Sequence, residues 1–213
     1  MTHTVTLDRC VKSFTVEDIF SANQLADVLL PGTAQPHDGP SAAVAAAIHD
    51  GERGAELLFI ERSTMQGDPW SGQMAFPGGR TSSTDVNSIA TAIRETKEEL
   101  GIDLSSARRL GRLSDLEGGP RGTHQRLRVT PHLFWVPGDR PAITANHEVA
   151  NALWIPVEQL VDEARYIEYP YPLLGSDLWP GIKIEGERVI WGLTLRMLVD
   201  LFTRLGRPLS IRS

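Results

Sequence analysis

Between residues 79 and 102 the chain carries Gly79, Asp85, Arg94-Glu95, Glu98-Glu99 and Gly101-Ile102. Each residue of an α-helix turns by about 100°, so with Glu95 as the origin Glu98 falls at about -60° and Glu99 at about +40°. Three carboxylates therefore share one narrow face. Like charges at this spacing repel by a few tenths of a kcal/mol per pair. Arg94 and Lys97 offset some of that but are expected to project from the other side. Clustered carboxylates suit a hard divalent cation, Mg²⁺ or Mn²⁺. Magnesium keeps several waters and is usually completed by substrate phosphates, which points to phosphate-ester or phosphoanhydride chemistry. Taken alone, the run RETKEEL reads as an ordinary solvated helix face. What changes the balance is Phe76-Pro77-Gly78-Gly79 just before it, a strand end whose glycines let a backbone group approach a metal or a phosphate closely.

The elements that must position these residues follow from periodicity and punctuation. Ile89, Ala92, Ile93, Thr96 and Leu100 form an apolar stripe beside the acids, so the helix over about 85–100 packs on a sheet, with Asp85 near its start as a capping acid. Gly101 stands where a left-handed terminator belongs. Strands are expected at 41–49 and 56–62, joined through Asp50-Gly51, and at 73–76, 109–113, 129–136 and 152–155. A helix opening on Pro156 should run to 164, and a hairpin over 182–190 should turn at Glu185-Gly186. Trp191, Leu195, Leu198, Val199 and Phe202 recur at helical spacing and read as core. Ahead of all this, Thr15 and Asp18 resemble a capping box for a helix that stops by Pro31-Gly32. The division expected is an N-terminal helical extension and linker over 1–40 and a main domain over 41–213. Mixed strands and helices without regular alternation give an α+β or mixed-sheet α/β sandwich.

The chain has 213 residues, 41 % of them hydrophobic, enough for a core without staples. Cys10 is the single cysteine, which excludes an intramolecular disulfide and a Cys-only metal cluster. The net charge is -6 and there is no long basic run, so no nucleic-acid partner is expected. The longest apolar run, 42–48, is too short to cross a bilayer, and the first residues lack the apolar centre of a secretory signal. The expectation is a cytoplasmic protein with no membrane partner. The N-terminal extension is a candidate element for a homodimer.

Residues 79–102 resemble the Nudix box, G-x5-E-x7-R-E-U-x-E-E-x-G-U. Gly79, Arg94-Glu95, Glu98-Glu99, Gly101 and Ile102 match it. Asp85 replaces the first glutamate, eight residues rather than seven separate it from Arg94, and Thr96 stands at a hydrophobic position. The Asp-plus-eight spacing is similar to the coenzyme A diphosphatase branch. So is the upstream run Leu58-Phe59-Ile60-Glu61-Arg62-Ser63, then Gly72, then Phe76 to Gly79, although Gly67 replaces that signature's second arginine.

The resemblance implies a fold, an α/β Nudix-type α/β/α sandwich around a mixed β-sheet, and an activity, metal-dependent hydrolysis of a nucleoside diphosphate linked to another moiety. It implies Glu95, Glu98, Glu99 and the Gly79 carbonyl as metal ligands for Mg²⁺ or Mn²⁺. Arg94 would hold a carboxylate through a forked salt bridge. The general base would be Glu95 or Glu148, with His147 and His124 as weaker candidates. Arg62 and Ser63 would face the substrate, a small-molecule diphosphate. Coenzyme A or an acyl derivative is the first substrate class, and nucleoside-diphosphate sugars or other nucleotides the second. A catalytically silent ligand sensor and a structural protein with a chance acidic helix stand behind them.

Overall fold

Period-two alternation along the first long strand builds both layers of the core. In the computed structural model, which describes residues 20–32, 39–52, 54–65, 70–118, 126–171 and 177–211, strand β1 (Ser41–Gly51) sends Ala43, Ala45 and Ala47 to one face and Ala42, Ala46 and Ile48 to the other. The first set meets Ile89, Ala92 and Leu100 of a single long helix, α2 (Ser88–Leu100). The second set belongs to the core containing Leu25 of α1 (Ala22–Val28), Leu160 of α3 (Val157–Val161), and Leu195, Leu198 and Phe202 of α4 (Gly192–Arg204). Alanines on the α2 side let that helix lie close to the sheet. Helices thus cover both faces of a mixed sheet, the α/β/α sandwich expected of the sequence.

The sheet has eight strands: β1, β2 (Gly54–Arg62), β3 (Met74–Ala75), β4 (Gly78–Arg80), β5 (Arg108–Arg112), β6 (Leu116–Gly118), β7 (Leu127–Val136) and β8 (Val149–Pro156). β1 runs parallel to β7, and every other pairing is antiparallel. β1 and β2 pair only near their turn, from Ile48↔Leu57 to Gly51↔Gly54. Beyond it they fork. β3 then pairs with β2 at Glu61↔Met74, and β4 pairs with β1 at Ala43↔Gly79. The Phe76-Pro77 bend sits inside the fork, where the Pro77 carbonyl accepts from Ala45 N at 2.8 Å. A separate antiparallel sheet follows, β9 (Tyr166–Pro170), β10 (Leu178–Lys183) and β11 (Val189–Trp191), in the order β11-β10-β9.

Local chemistry explains the boundaries. The helix expected from residue 85 starts at Ser88, because Asn87 is its cap, with Oδ1 accepting from Ala90 N at 2.9 Å. Gly101 ends it at φ +70°. The helix expected over 156–164 breaks after Val161, where the Asp162 side chain accepts from Ala164 N and opens a separate 3₁₀ turn, Glu163–Arg165. α1 takes its capping box from Ser21 and Gln24, while the Thr15/Asp18 pair lies outside the described residues. Phe20 and Leu25 are buried in the main core, and Leu30 bridges to Arg112. The short, polar β6 and the Tyr- and Glu-bearing β9 have no counterpart among the strands expected from pattern. Among the described residues no helix is long and apolar enough to cross a membrane.

Ala45 is fully buried under α2. Replacing it by leucine overpacks that layer, and urea denaturation of Ala45→Leu should show a loss of about 1–3 kcal/mol.

Candidate active site

Strand β4 and helix α2 bring the acids to the Gly-Gly bend. Glu99 is 1 % exposed, and its Oε2 accepts from Gly78 N at 2.8 Å. Burial, only partly offset by that bond and by the Arg62 charge, pushes its carboxyl up to about 8. Glu95 lies against Gly79: a Cβ on that glycine would stand 2.5 Å from the Glu95 carboxyl carbon. A Cβ on Gly78, at φ +150°, would stand 2.3 Å from the Ala43 carbonyl oxygen. Gly78 is therefore required by the sheet backbone, and a side chain at position 79 would push the Glu95 carboxylate aside. Burial also raises the Glu95 pKa, and the Arg94 contacts oppose this while Glu98 and Glu148 add to it.

Arg94 binds the cluster together. It grips Asp85 with two parallel bonds, Nε to Oδ1 at 2.9 Å and Nη2 to Oδ2 at 2.8 Å. Its Nη1 lies 2.9 Å from Glu95 and 3.0 Å from Glu98, and Nη2 also donates to the Arg80 carbonyl. This corrects two expectations. Arg94 does not project away from the acids, because its long stem curls back over the helix face. Asp85 does not cap the helix: it accepts from Ser82 N and Thr91 Oγ1 as well as Arg94. Those bonds hold its carboxyl far below the usual carboxylate range. Lys97 does lie apart, paired with Asp103.

Glu148 reaches the same patch from the loop before β8. Two groups at the C-terminal end of α2 hang that loop in place: Thr144 N donates to Leu100 O and Asn146 N to Glu99 O, both at 2.8 Å. Asn146 Oδ1 then accepts from Glu148 N, and Ser63 N donates to the Glu148 carbonyl. The exposed Glu148 carboxylate is close enough to raise both Glu95 and Glu99. Arg62, at the end of β2, is close enough to lower Glu99. The structure thus brings together Arg62, Ser63, Gly79, Arg94, Glu95, Glu98, Glu99 and Glu148. His147 is exposed on the same loop, and His124 lies outside the described residues.

Two supporting residues have no sequence motif to announce them. Asn146 acts through its backbone and its amide at once. His132, on β7, is fully buried and sits 2.9 Å from Ser88 Oγ at the first turn of α2. Burial and the nearby Arg112 and Arg109 charges push its pKa down to about 4 and keep the ring neutral. An asparagine two residues before a loop glutamate was a readable hint; a histidine in an apolar strand was not.

Among the described residues no three acidic or histidine side chains already converge as a metal cage. Arg94 Nη1 draws Glu95 and Glu98 to itself, and Gly78 N holds Glu99. The donor set nonetheless fits a hard divalent cation. All its side-chain donors are carboxylate oxygens, neighbouring carboxylates add to the raised pKa of Glu95 and of Glu99, and the three helix acids crowd the end whose dipole is itself negative.

A folded state that binds a proton more tightly than the unfolded one loses stability as pH rises between the two pKa values. For Glu99 that window runs from the ordinary 4.5 to about 8. Below about 6.5 the buried neutral His132 acts in the opposite sense, so in a chelator the melting temperature should fall as pH rises from about 6.5 to 8, and Glu99→Gln should flatten that fall.

Comparison with known proteins agrees with this geometry. The NUDIX domain matches residues 39–174. An uncharacterized protein of Schizosaccharomyces pombe is 30 % identical over 191 residues, covering 73 % of this chain and 58 % of that protein. A Yersinia pestis protein named uncharacterized Nudix hydrolase NudL is 33 % identical over 131 residues, covering 62 % of this chain and 63 % of the relative. The matches thus span less than two thirds of the relatives' length. A solved structure of a MutT/nudix family protein from Enterococcus faecalis shares the fold, with a TM-score of 0.56 at 14 % identity over 82 % of this chain and 65 % of that one. Because the matched span holds the main sheet, α2 and every residue of the carboxylate patch, the chain belongs to the NUDIX domain family.

Proposed function

We propose that the chain is a divalent-metal-dependent hydrolase that cleaves the diphosphate of a nucleoside diphosphate linked to another moiety. The observation that carries this reading is the convergence of Glu95, Glu98, Glu99 and Glu148 around the Gly78-Gly79 bend, a patch short of positive charge. The carboxylates of Glu95, Glu98 and Glu99 and the Gly79 carbonyl are the groups that would hold Mg²⁺ or Mn²⁺. Such ions neutralise diphosphate charge and make water a stronger nucleophile at neutral pH.

The remaining work falls to the chain itself. Asp85 fixes Arg94, and Arg94 fixes Glu95 and Glu98, so two acids are held in register without being permanently neutralised. Glu148 accepts the proton of the attacking water; its exposure and its three-point loop anchorage favour it over Glu95, whose oxygen is engaged by Arg94. Arg62, beside Glu99, offers a charge to a substrate phosphate, with Ser63 next to it. Coenzyme A or an acyl derivative is the first substrate class. The run from Leu58 to Ser63 and the Phe76 to Gly79 bend support it. The absence of the second signature arginine keeps nucleoside-diphosphate sugars as the alternative.

Activity over a panel of diphosphates with Mg²⁺ and Mn²⁺ tests this reading. Cleavage of coenzyme A is expected; turnover of a nucleotide sugar in its place would move the substrate assignment. No turnover of any diphosphate with either metal would leave a ligand sensor. Glu148→Gln should lower kcat by about 10²- to 10⁴-fold, the range for loss of a general base. If Glu95→Gln does so and Glu148→Gln does not, the base is Glu95. Asp85→Ala, which removes only the support of Arg94, should cost about 10- to 100-fold in metal affinity or activity.

A further inference from the structure

A second cavity, of about 310 Å³, opens on the opposite face of the sheet from the carboxylates. Alternation along β2 puts Phe59 in the α4 core and Ile60 in the α2 core, so Glu61 faces α4 while Arg62 faces Glu99. Glu61 lines the cavity. Tyr169 of β9, Tyr171 just after that strand and Trp191 of β11 form an aromatic wall, with Tyr171 and Trp191 centroids 4.4 Å apart and Tyr169 and Trp191 5.6 Å apart. Glu187, Arg188 and Trp191 lie beyond residue 174, where the family match ends. The wall therefore straddles the end of that match, with Tyr169 and Tyr171 inside it and Trp191 beyond.

The lining selects a ligand class. Its charges are already balanced: Arg188 Nε donates to Glu61 Oε2 at 2.8 Å, and Lys183 lies 3.4 Å from Glu187. A charged ligand would have to displace one of these pairs, and a wholly apolar one would bury their polar edges without partners. A neutral flat ring satisfies both the aromatic faces and the polar rim. Asn151 Nδ2 and Arg188 Nε both donate to Oε2 of Glu61; Oε1 accepts no bond among the described residues and can take an N–H from the ligand.

We propose that this cavity binds a flat, nitrogen-rich heteroaromatic ring bearing an N–H donor, of the purine type, stacked on Tyr171, which is itself backed by the buried Trp191, with Glu61 as acceptor. The site stands apart from the hydrolase reading, because its test needs neither metal nor turnover. The probe is adenosine, titrated calorimetrically into the full chain in a chelator. Saturable binding is expected. Tyr171→Ala should weaken it by about fivefold or more, the loss expected of one stacking ring, and Tyr171→Phe should leave it near the original value. Absence of saturable binding, or equal affinity in Tyr171→Ala, overturns the proposal.

A second measurement needs no variant. Photolabelling of the unaltered chain with 8-azidoadenosine should modify peptides that carry Glu61, residues 71–73 or residues 169–191, and labelling confined to other peptides overturns the site. Where a diphosphate is turned over, adenosine at the concentration that saturates the cavity should leave KM unchanged; purely competitive inhibition that persists unaltered in Tyr171→Ala would place the ring among the acids and overturn the site.

Discussion

One arginine carries the order of the acidic patch. Asp85 holds the Nε–Nη2 edge of the Arg94 guanidinium, and Nη1 reaches Glu95 and Glu98 together. Without that anchor the acids on the last two turns of α2 would repel one another at the negative end of a helix dipole and splay into water. The planar fork matters, since a lysine ammonium could not clasp one carboxylate edge-on and still reach two others. The Asp85 end is the fixed one. It is nearly buried, at 4 % exposure, whereas Glu98 is 56 % exposed. Glu98 can therefore turn toward a cation while Arg94 stays where Asp85 keeps it.

The forked sheet supplies the other half of the site. If β1 and β2 paired along their full length, no backbone would face α2 between them. Because they part after Ile48↔Leu57, β3 and β4 enter the gap and present Gly78 N to Glu99 and Gly79 to Glu95. Small residues make this approach feasible on both sides: Ala43, Ala45 and Ala47 below α2, and two glycines beside its acids. Packing and charge are coupled here. The close seat of the helix excludes water from Glu99, and that exclusion makes its ionised form costly until a cation compensates it.

Much of this was legible in the sequence because it is local. The acids' shared face follows from 3.6-residue periodicity, the end of α2 from Gly101, and the alanine strand from its composition. Asp85 shows where local reading stops. Position alone suggests a cap, but Asn87 is the better placed acceptor, and the extra residue before Arg94 leaves Asp85 free to turn inward and meet a guanidinium nine positions on. Arg94 likewise looks outward on a helical wheel, which carries no information on how far a four-atom stem can bend. Asn146 and His132 act across the fold, on Glu99 and Ser88, and no spacing rule relates residues so distant in sequence. β9 was hidden for a further reason: an edge strand with tyrosines and a glutamate lacks the apolar alternation of a buried one.

Glu61 and Arg62 join the two faces of the molecule. They are adjacent on β2, yet one binds Arg188 of the C-terminal sheet and the other lies beside Glu99. Strand geometry forces this divergence, because successive side chains leave opposite faces. A shift of the end of β2 would be felt on both sides: Arg62 N donates to Gln73 O, and Gln73 Nε2 donates to Tyr171 OH. The carboxylate face lies inside the span shared with the family, and the aromatic face straddles its end, with Glu61, Tyr169 and Tyr171 inside and Arg188 and Trp191 beyond. Adjacent residues of one strand thus serve two chemically different faces, the acids on one and the aromatic wall on the other.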